Sequence, residues 1–391
     1  MIGLYLHIPY CLRKCAYCDF ASLPLDEAGG LAAARRYLDA LAIELDRRAF
    51  SDEFSPLLRQ LATEATYVDT VYIGGGTPTI LPPDWLASLF DRIRMRFTVR
   101  PDAELTVEAN PGTVDEAKIS ALLAAGVNRI SLGVQSFSDP VLQTLGRIHT
   151  AAEAHDAIAA ARAAGCSNLS LDLMYGIPNQ SLADWRTTLE AVVKAGPDHI
   201  SAYALSVEPG TRLCDVIAAH ELPPPDEDLA ADMYLLAQDL LGDAGYDHYE
   251  ISNFARPGMQ CRHNRRYWAC DEYLGLGAAS HTFRGGVRWN NLPDPAVYTR
   301  WIEQGRLPVA RAEALSARES AGEMLILGLR RAEGVREKDV LRRCGISPSE
   351  VFRDEIGRLC EDRLLIVDRG RLRIPREAWL VSNEVLSAFV A

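Results

Sequence analysis

The chain of 391 residues is 48% hydrophobic and 24% charged, an ordinary globular mix that excludes collagen-like, fibrous and disordered classes. At roughly 150 residues per domain, the length allows two or three domains, or one large α/β barrel with an appendage. Net charge is −12, with 26 basic and 39 acidic residues in 1–310 against 15 and 14 in 311–391, which argues against broad phosphate-backbone binding.

The first eleven residues, MIGLYLHIPYC, lack both the basic start and the apolar stretch of a secretory signal. No run approaches the ~18 consecutive apolar residues of a membrane span, so the expected compartment is the cytoplasm. Strands are predicted at Gly3–Ile8, Thr70–Ile73, Glu104–Glu108, Arg129–Leu132, Asn168–Met174 and His199–Ala204. Amphipathic helices are predicted between them at Arg35–Phe50, Asp84–Phe97, Val114–Ala125, Thr150–Ala164 and Leu182–Ala195, the last two stopped by Gly165 and Gly196. Strands alternating with helices imply right-handed βαβ units around a parallel sheet, with two strands fewer than the eight of a closed barrel. The Pro-rich Leu222–Pro225 breaks the rhythm, and a helix over Asp226–Leu241 follows. Residues 246–300 are rich in Tyr, Trp, Asn, His and Gly with weak periodicity, a pattern for lining a site or wrapping an edge. From about Ala314, helical pieces at 316–331, 336–343 and 348–361 precede strands Leu364–Val367 and Arg371–Ile374, joined by Asp368-Arg369-Gly370, which predicts a winged-helix-like module. The division expected is 1–220, 221–313 and 314–391.

Nine cysteines are an odd number, and Cys11, Cys15 and Cys18 crowd into eight positions just after the first strand. That is a metal-ligand pattern rather than a disulfide framework. Thiolates are soft ligands for iron–sulfur clusters or zinc. Three of them fill three corners of a four-iron cluster and leave one iron open, whereas structural zinc needs a fourth ligand and the nearest, His7, lies within the strand. The run Cys11-Leu-Arg-Lys-Cys15-Ala-Tyr-Cys18 resembles the motif of the radical S-adenosylmethionine (SAM) superfamily. The resemblance implies a [4Fe-4S] cluster whose open iron takes the amino and carboxylate groups of SAM. It also implies a partial (β/α)6 barrel, in keeping with the strand count.

Gly74-Gly75-Gly76-Thr77-Pro78-Thr79 stands at the end of the second strand, where α/β folds place ligands. In the resemblance this element contacts the SAM amino group. Glu108, Gln135, Arg147 and Asp172 recur at or near later strand ends. Each alone reads equally as a satisfied rim residue; together they complement the amino, carboxylate, sulfonium and ribose groups of SAM. The set is similar to that of oxygen-independent coproporphyrinogen III oxidases, and implies SAM contacts from Tyr5, Tyr17, Gly75, Gly76, Thr77, Glu108, Gln135, Arg147, Asp172 and Ala204. Two features depart from the oxidases. Phe20 occupies the position of their fourth Cys, and only four residues precede Tyr5 where they carry a long N-terminal segment. Both point to the HemW heme-chaperone subfamily, as does His263-Asn264-Arg265-Arg266-Tyr267-Trp268, which matches its His-Asn-x-x-Tyr-Trp motif. His263 is then the expected axial heme ligand with Tyr267 second, Tyr267 and Trp268 the porphyrin-facing rings, and Arg262, Arg265 and Arg266 the propionate partners. A lone His is otherwise more often structural. Cys261 and Cys270 flank the motif without forming the C-x-x-C-H of covalent attachment; with Cys166, Cys214, Cys344 and Cys360 they read as small buried hydrophobes.

The expected function is binding of heme by a protein with a SAM-coordinated cluster, and its delivery to an acceptor protein. The alternative is coproporphyrinogen III oxidation, and a third is another radical SAM reaction. Expected partners are heme, the acceptor (a membrane-bound one included) and an electron donor for the cluster. The C-terminal module, at net +1, is expected to act as a lid or docking surface, not to bind nucleic acid.

Overall fold

The computed structural model describes residues 1–50 and 67–390. Six parallel strands lie side by side in chain order: β1 (Ile2–Ile8), β2 (Tyr67–Gly75), β3 (Thr98–Ala109), β4 (Arg129–Gln135), β5 (Leu169–Tyr175) and β6 (His199–Ala204). This is the parallel α/β sheet expected from the alternation and the partial barrel implied by the resemblance. β2 and β3 begin earlier than predicted because their first residues, among them Arg100, Pro101 and Asp102, have no apolar alternation to mark them.

Side-chain alternation divides each strand between two environments. One face carries Leu4, Leu6, Val71, Ile73, Val107, Ile130, Leu132, Leu171 and Ile200, all fully buried under helices that include Pro83–Arg96, Ala151–Ala163 and Leu182–Ala195. Each such side chain contributes roughly 1.5–3 kcal/mol on burial. The crossover helices are well terminated. Thr150 with Glu153 and Ser181 with Asp184 form capping boxes, and Gly196 closes the last helix in the left-handed region.

Residues 246–300 extend both edges of this sheet. They supply β7 (Asp247–Glu250), β8 (Asn253–Ala255), β9 (Tyr273–Leu276), β10 (His281–Arg284) and β11 (Val287–Asn291), and β12 (Val309–Ala314) follows. The twelve-stranded order is β12-β11-β10-β9-β1-β2-β3-β4-β5-β6-β8-β7, with β9 parallel to β1. Strands of three to five residues show too few alternations to register as a period, so none was predicted. Residues 262–268, expected only as part of this weakly periodic stretch, form the helix Arg262–Trp268.

Beyond β12, helices Ala317–Gly328, Glu337–Cys344 and Arg353–Glu361 pack with a three-stranded antiparallel sheet of Val335–Arg336, Arg371–Arg373 and Ile366–Asp368. The hairpin turns at Arg369 and Gly370, both at positive φ (49° and 71°), as a two-residue turn between right-twisted strands requires. This is the winged-helix-like arrangement predicted. Among the described residues no helix is long and apolar enough to cross a membrane.

Candidate functional site

The second face of the six strands is polar. Register sets Tyr5 beside Tyr72, Tyr72 beside Thr106, Glu108 beside Ser131 and Asp172 beside Ser201. Polar groups from β2 to β6 line a cavity of about 370 Å³, the size of one small-molecule site (roughly 300–1,000 Å³). Cys11, Cys15 and Cys18 line the same cavity at the C-terminal ends of the strands, the end where α/β folds bind ligands.

A short parallel pair, Tyr10–Cys11 with Leu23–Pro24, closes the loop that carries the second and third cysteines. Below it, the Tyr5 hydroxyl bonds His7 Nδ1 at 3.0 Å, and His7 Nε2 meets the Ala21 carbonyl at 2.9 Å. The first strand thus holds the far side of the loop. Arg147 Nη1 donates to Cys15 Sγ at 3.3 Å and Nη2 to the Gly133 carbonyl at 2.6 Å. All three cysteines are free, and burial pushes the Cys11 and Cys18 thiols up. Among the described residues no three His, Cys, Asp or Glu converge as ligands of a single ion. Phe20, two positions after Cys18, lines the same cavity and is 59% exposed.

The glycine run ends β2 beneath this loop. Gly75 has φ +114°, and a Cβ there would stand 2.6 Å from the His7 ring, so only glycine fits. Its N–H donates to Glu108 Oε2 at 3.0 Å, and the Tyr72 hydroxyl donates to Oε1 at 2.7 Å. Burial, with the nearby charge of Asp172, raises the Glu108 carboxyl to about 7 despite these donors. Asp172 accepts from the Ser131 hydroxyl at 3.1 Å and is likewise raised by burial. Gln135 stands at the rim with φ +65°, a conformation that costs a non-glycine residue and concentrates at functional sites. Arg129 reaches the cavity from the other end of β4, its Nε and Nη1 without hydrogen-bond partners among the described residues.

The cavity therefore gathers Tyr17, Gly75, Gly76, Thr77, Glu108, Gln135, Arg147, Asp172 and Ala204 with the three cysteines. Tyr5 is not on its wall; its hydroxyl bonds His7 instead. Sequence reasoning missed Tyr72, Arg129, Ser131, Ser201, Tyr203 and Asn264. For the five strand residues the available signal was a polar residue at every second position of an otherwise apolar strand.

The 263–268 motif lies at the opposite end of the strands. Glu104, early in the paired part of β3, accepts from the backbone N–H groups of Arg262 (2.9 Å) and His263 (3.0 Å). His263 is 1% exposed and both ring nitrogens are engaged: Nδ1 with Thr70 Oγ1 at 2.9 Å and Nε2 with the Tyr267 hydroxyl at 2.8 Å. Burial, with the charges of Arg266 and Arg129, lowers its pKa to about 3, so the ring is neutral. Arg266 pairs with Asp69, Arg265 with Glu333, and Arg330 covers the Trp268 ring. In this conformation the motif is a helix packed across the barrel floor, with Asn264 reaching the cavity.

Residues 5–192 match the radical SAM superfamily and residues 315–381 the HemN C-terminal domain. A Mycobacterium tuberculosis protein named heme chaperone HemW is 39% identical over 374 residues, covering 95% of this chain and 92% of its own. An Escherichia coli protein of the same name is 34% identical over 397 residues, covering 100% and 98%. Among solved structures, the E. coli coproporphyrinogen III oxidase HemN, a radical SAM enzyme, superposes with a TM-score of 0.85 at 23% identity, covering 100% of this chain and 90% of that one. At that identity the likeness establishes the fold.

Proposed function

Because the chain belongs to the HemW family of radical SAM proteins, we propose that it binds heme and delivers it to an acceptor protein, and that Cys11, Cys15 and Cys18 hold its [4Fe-4S] cluster. The observation that carries the cluster and SAM assignment is one cavity lined by three free cysteines at its mouth and by Glu108, Asp172 and Arg147 along its wall. When bound, the cluster supplies a coordination position and a source of electrons for SAM.

The chain's own residues do the positioning. Arg147, anchored on the Gly133 carbonyl, presents a guanidinium beside Cys15 for a carboxylate. Glu108, held by Tyr72 and Gly75, presents an acceptor for amino N–H groups. Asp172 and Ser201 face inward from adjacent strands as partners for ribose hydroxyls. Heme as cargo rests on the names of the relatives. An iron reaching His263 from outside would have to displace one of its two buried hydrogen bonds, that of the ring nitrogen it takes.

The test is anaerobic: reconstituted protein is titrated with heme, then incubated with SAM, reductant and coproporphyrinogen III. About one heme per chain with no protoporphyrinogen formed is the expected result. Conversion of coproporphyrinogen without heme binding would replace the carrier with the oxidase.

A further inference from the structure

The motif His263 to Trp268 is left over from the site just described: it lies at the far end of the barrel, yet its first residue is buried against groups that lead back to the SAM side. The Glu104 carboxylate fixes the start of the helix by accepting from Arg262 and His263 N–H, and Arg266 ties the helix to Asp69 on β2. The approach is close. A Cβ on Gly3 would stand 2.9 Å from Arg266 Cδ and 3.2 Å from His263 Cε1, so the first strand leaves room for this helix by having no side chain there.

Thr70 and Tyr267 then hold the imidazole from both nitrogens. So held, its ring stacks on Tyr72, centroids 5.2 Å apart and planes 29° from parallel, and lies 6.4 Å from the Tyr5 ring. Tyr72 is the donor to Glu108 Oε1, whose other oxygen takes the Gly75 N–H. Tyr5 is the partner of His7, which supports the cysteine loop at Ala21. Two aromatic rings that serve the ligand end of the barrel therefore rest on one imidazole at its floor.

We infer that His263 is a positioning residue for the SAM site: clamped between Thr70 and Tyr267, it fixes the Tyr72 ring and through it the Glu108 carboxylate. The inference rests on the SAM reading above and assigns the motif's histidine to the cluster side of the protein rather than to heme iron. A neutral, doubly bonded imidazole suits this task. It offers a flat face of fixed orientation and adds no charge beside Glu108, which is already faced by Tyr72 from β2, Arg129 from β4 and Asp172 from β5.

The experiment measures SAM affinity on anaerobically reconstituted full-length protein by the SAM-induced change in the reduced cluster's paramagnetic resonance spectrum. Iron content and the heme Soret band are recorded on the same samples. Tyr72→Phe removes the hydroxyl and should weaken SAM by about tenfold, the loss of one hydrogen bond to a charged group. His263→Ala should weaken it by a similar factor with iron per chain and the Soret band unchanged, and His263→Phe, which keeps a flat ring, should recover part of the loss. If His263→Ala does not fold, Thr70→Val, which frees one side of the ring, carries the same expectation. Unchanged SAM affinity in folded His263→Ala or Thr70→Val overturns the inference. A shifted Soret band with unchanged SAM affinity overturns it in favour of heme ligation. Wild-type protein that holds a cluster but never responds to SAM overturns the SAM reading itself, a separate result.

Discussion

Glu108 gives the site a pH dependence that can be worked out in advance. Its carboxyl titrates at about 7 in the ligand-free protein, raised by burial and by Asp172. The SAM amino group needs an acceptor, so binding selects the carboxylate and pulls its pKa down. The sign follows: below about 7 each SAM bound displaces a proton, and affinity falls as the pH falls. With a free-protein pKa of about 7, the ionised fraction drops about tenfold between roughly pH 8 and pH 6, so SAM affinity should drop about tenfold, close to 1.4 kcal/mol. Isothermal titration in buffers of different ionisation enthalpy reads both the affinity and the proton count. Glu108→Gln cannot titrate; its slope measures what SAM and the cluster contribute, and the tenfold effect is the difference between the two proteins. Tyr72→Phe deletes a donor that favours the carboxylate, so its decline should begin at higher pH. Equal slopes in wild type and Glu108→Gln would refute the assignment of Glu108 as the acceptor.

Three further outcomes are expected. Replacing Cys11, Cys15 and Cys18 together by Ser should abolish bound iron after reconstitution while circular dichroism keeps its helical signal, because the loop that carries Cys15 and Cys18 lies outside the core. Asp172→Ala should weaken SAM by about tenfold or more, the loss of a charged acceptor, measured by equilibrium dialysis. Trp185 is fully buried and its Nε1 donates to the Met233 carbonyl at 2.8 Å; Trp185→Ala should cost about 3–5 kcal/mol in denaturant unfolding without altering the ratio of iron to folded protein.

What the sequence disclosed depended on how local the determinant is. The cysteine run can be read without a fold because its ligands are neighbours in the chain. β4 and β5 were legible because Ile130, Leu132, Leu169, Leu171 and Leu173 all turn to the helix-covered face, leaving an alternation several residues long. The partners of Glu108 were not legible, since Tyr72 and Gly75 lie more than thirty residues away and are brought to it only by the β2–β3 register. Arg129 looks like an interruption in an apolar strand until the register shows its neighbours. The setting of the motif at 263–268 was not legible for the same reason in reverse. Its residue types suit heme, but only the capping by Glu104 and the bond to Thr70 reveal that the helix faces inward.

On the proposed function, this geometry also bears on how a heme carrier can contain a radical-generating site. An oxidase must admit a tetrapyrrole side chain to the place where SAM is held; a carrier must release its heme unaltered. Here the space beneath the cysteines is about 370 Å³, the scale of a single small ligand, and the helix Arg262–Trp268 packs across its far end, pinned by Arg266 to Asp69. On this reading SAM takes up that space, and among the described residues this helix lies across its far end. Heme as cargo is then expected on the outer surface, separated from Glu108 and Asp172 by the barrel wall or by the cysteine loop. Any influence of the cluster on heme must pass through that loop or as an electron, not by abstraction of a hydrogen atom from the porphyrin. Anaerobic incubation with SAM and reductant should therefore leave the mass of bound heme unchanged, and a heme–deoxyadenosyl adduct found by mass spectrometry would contradict this separation.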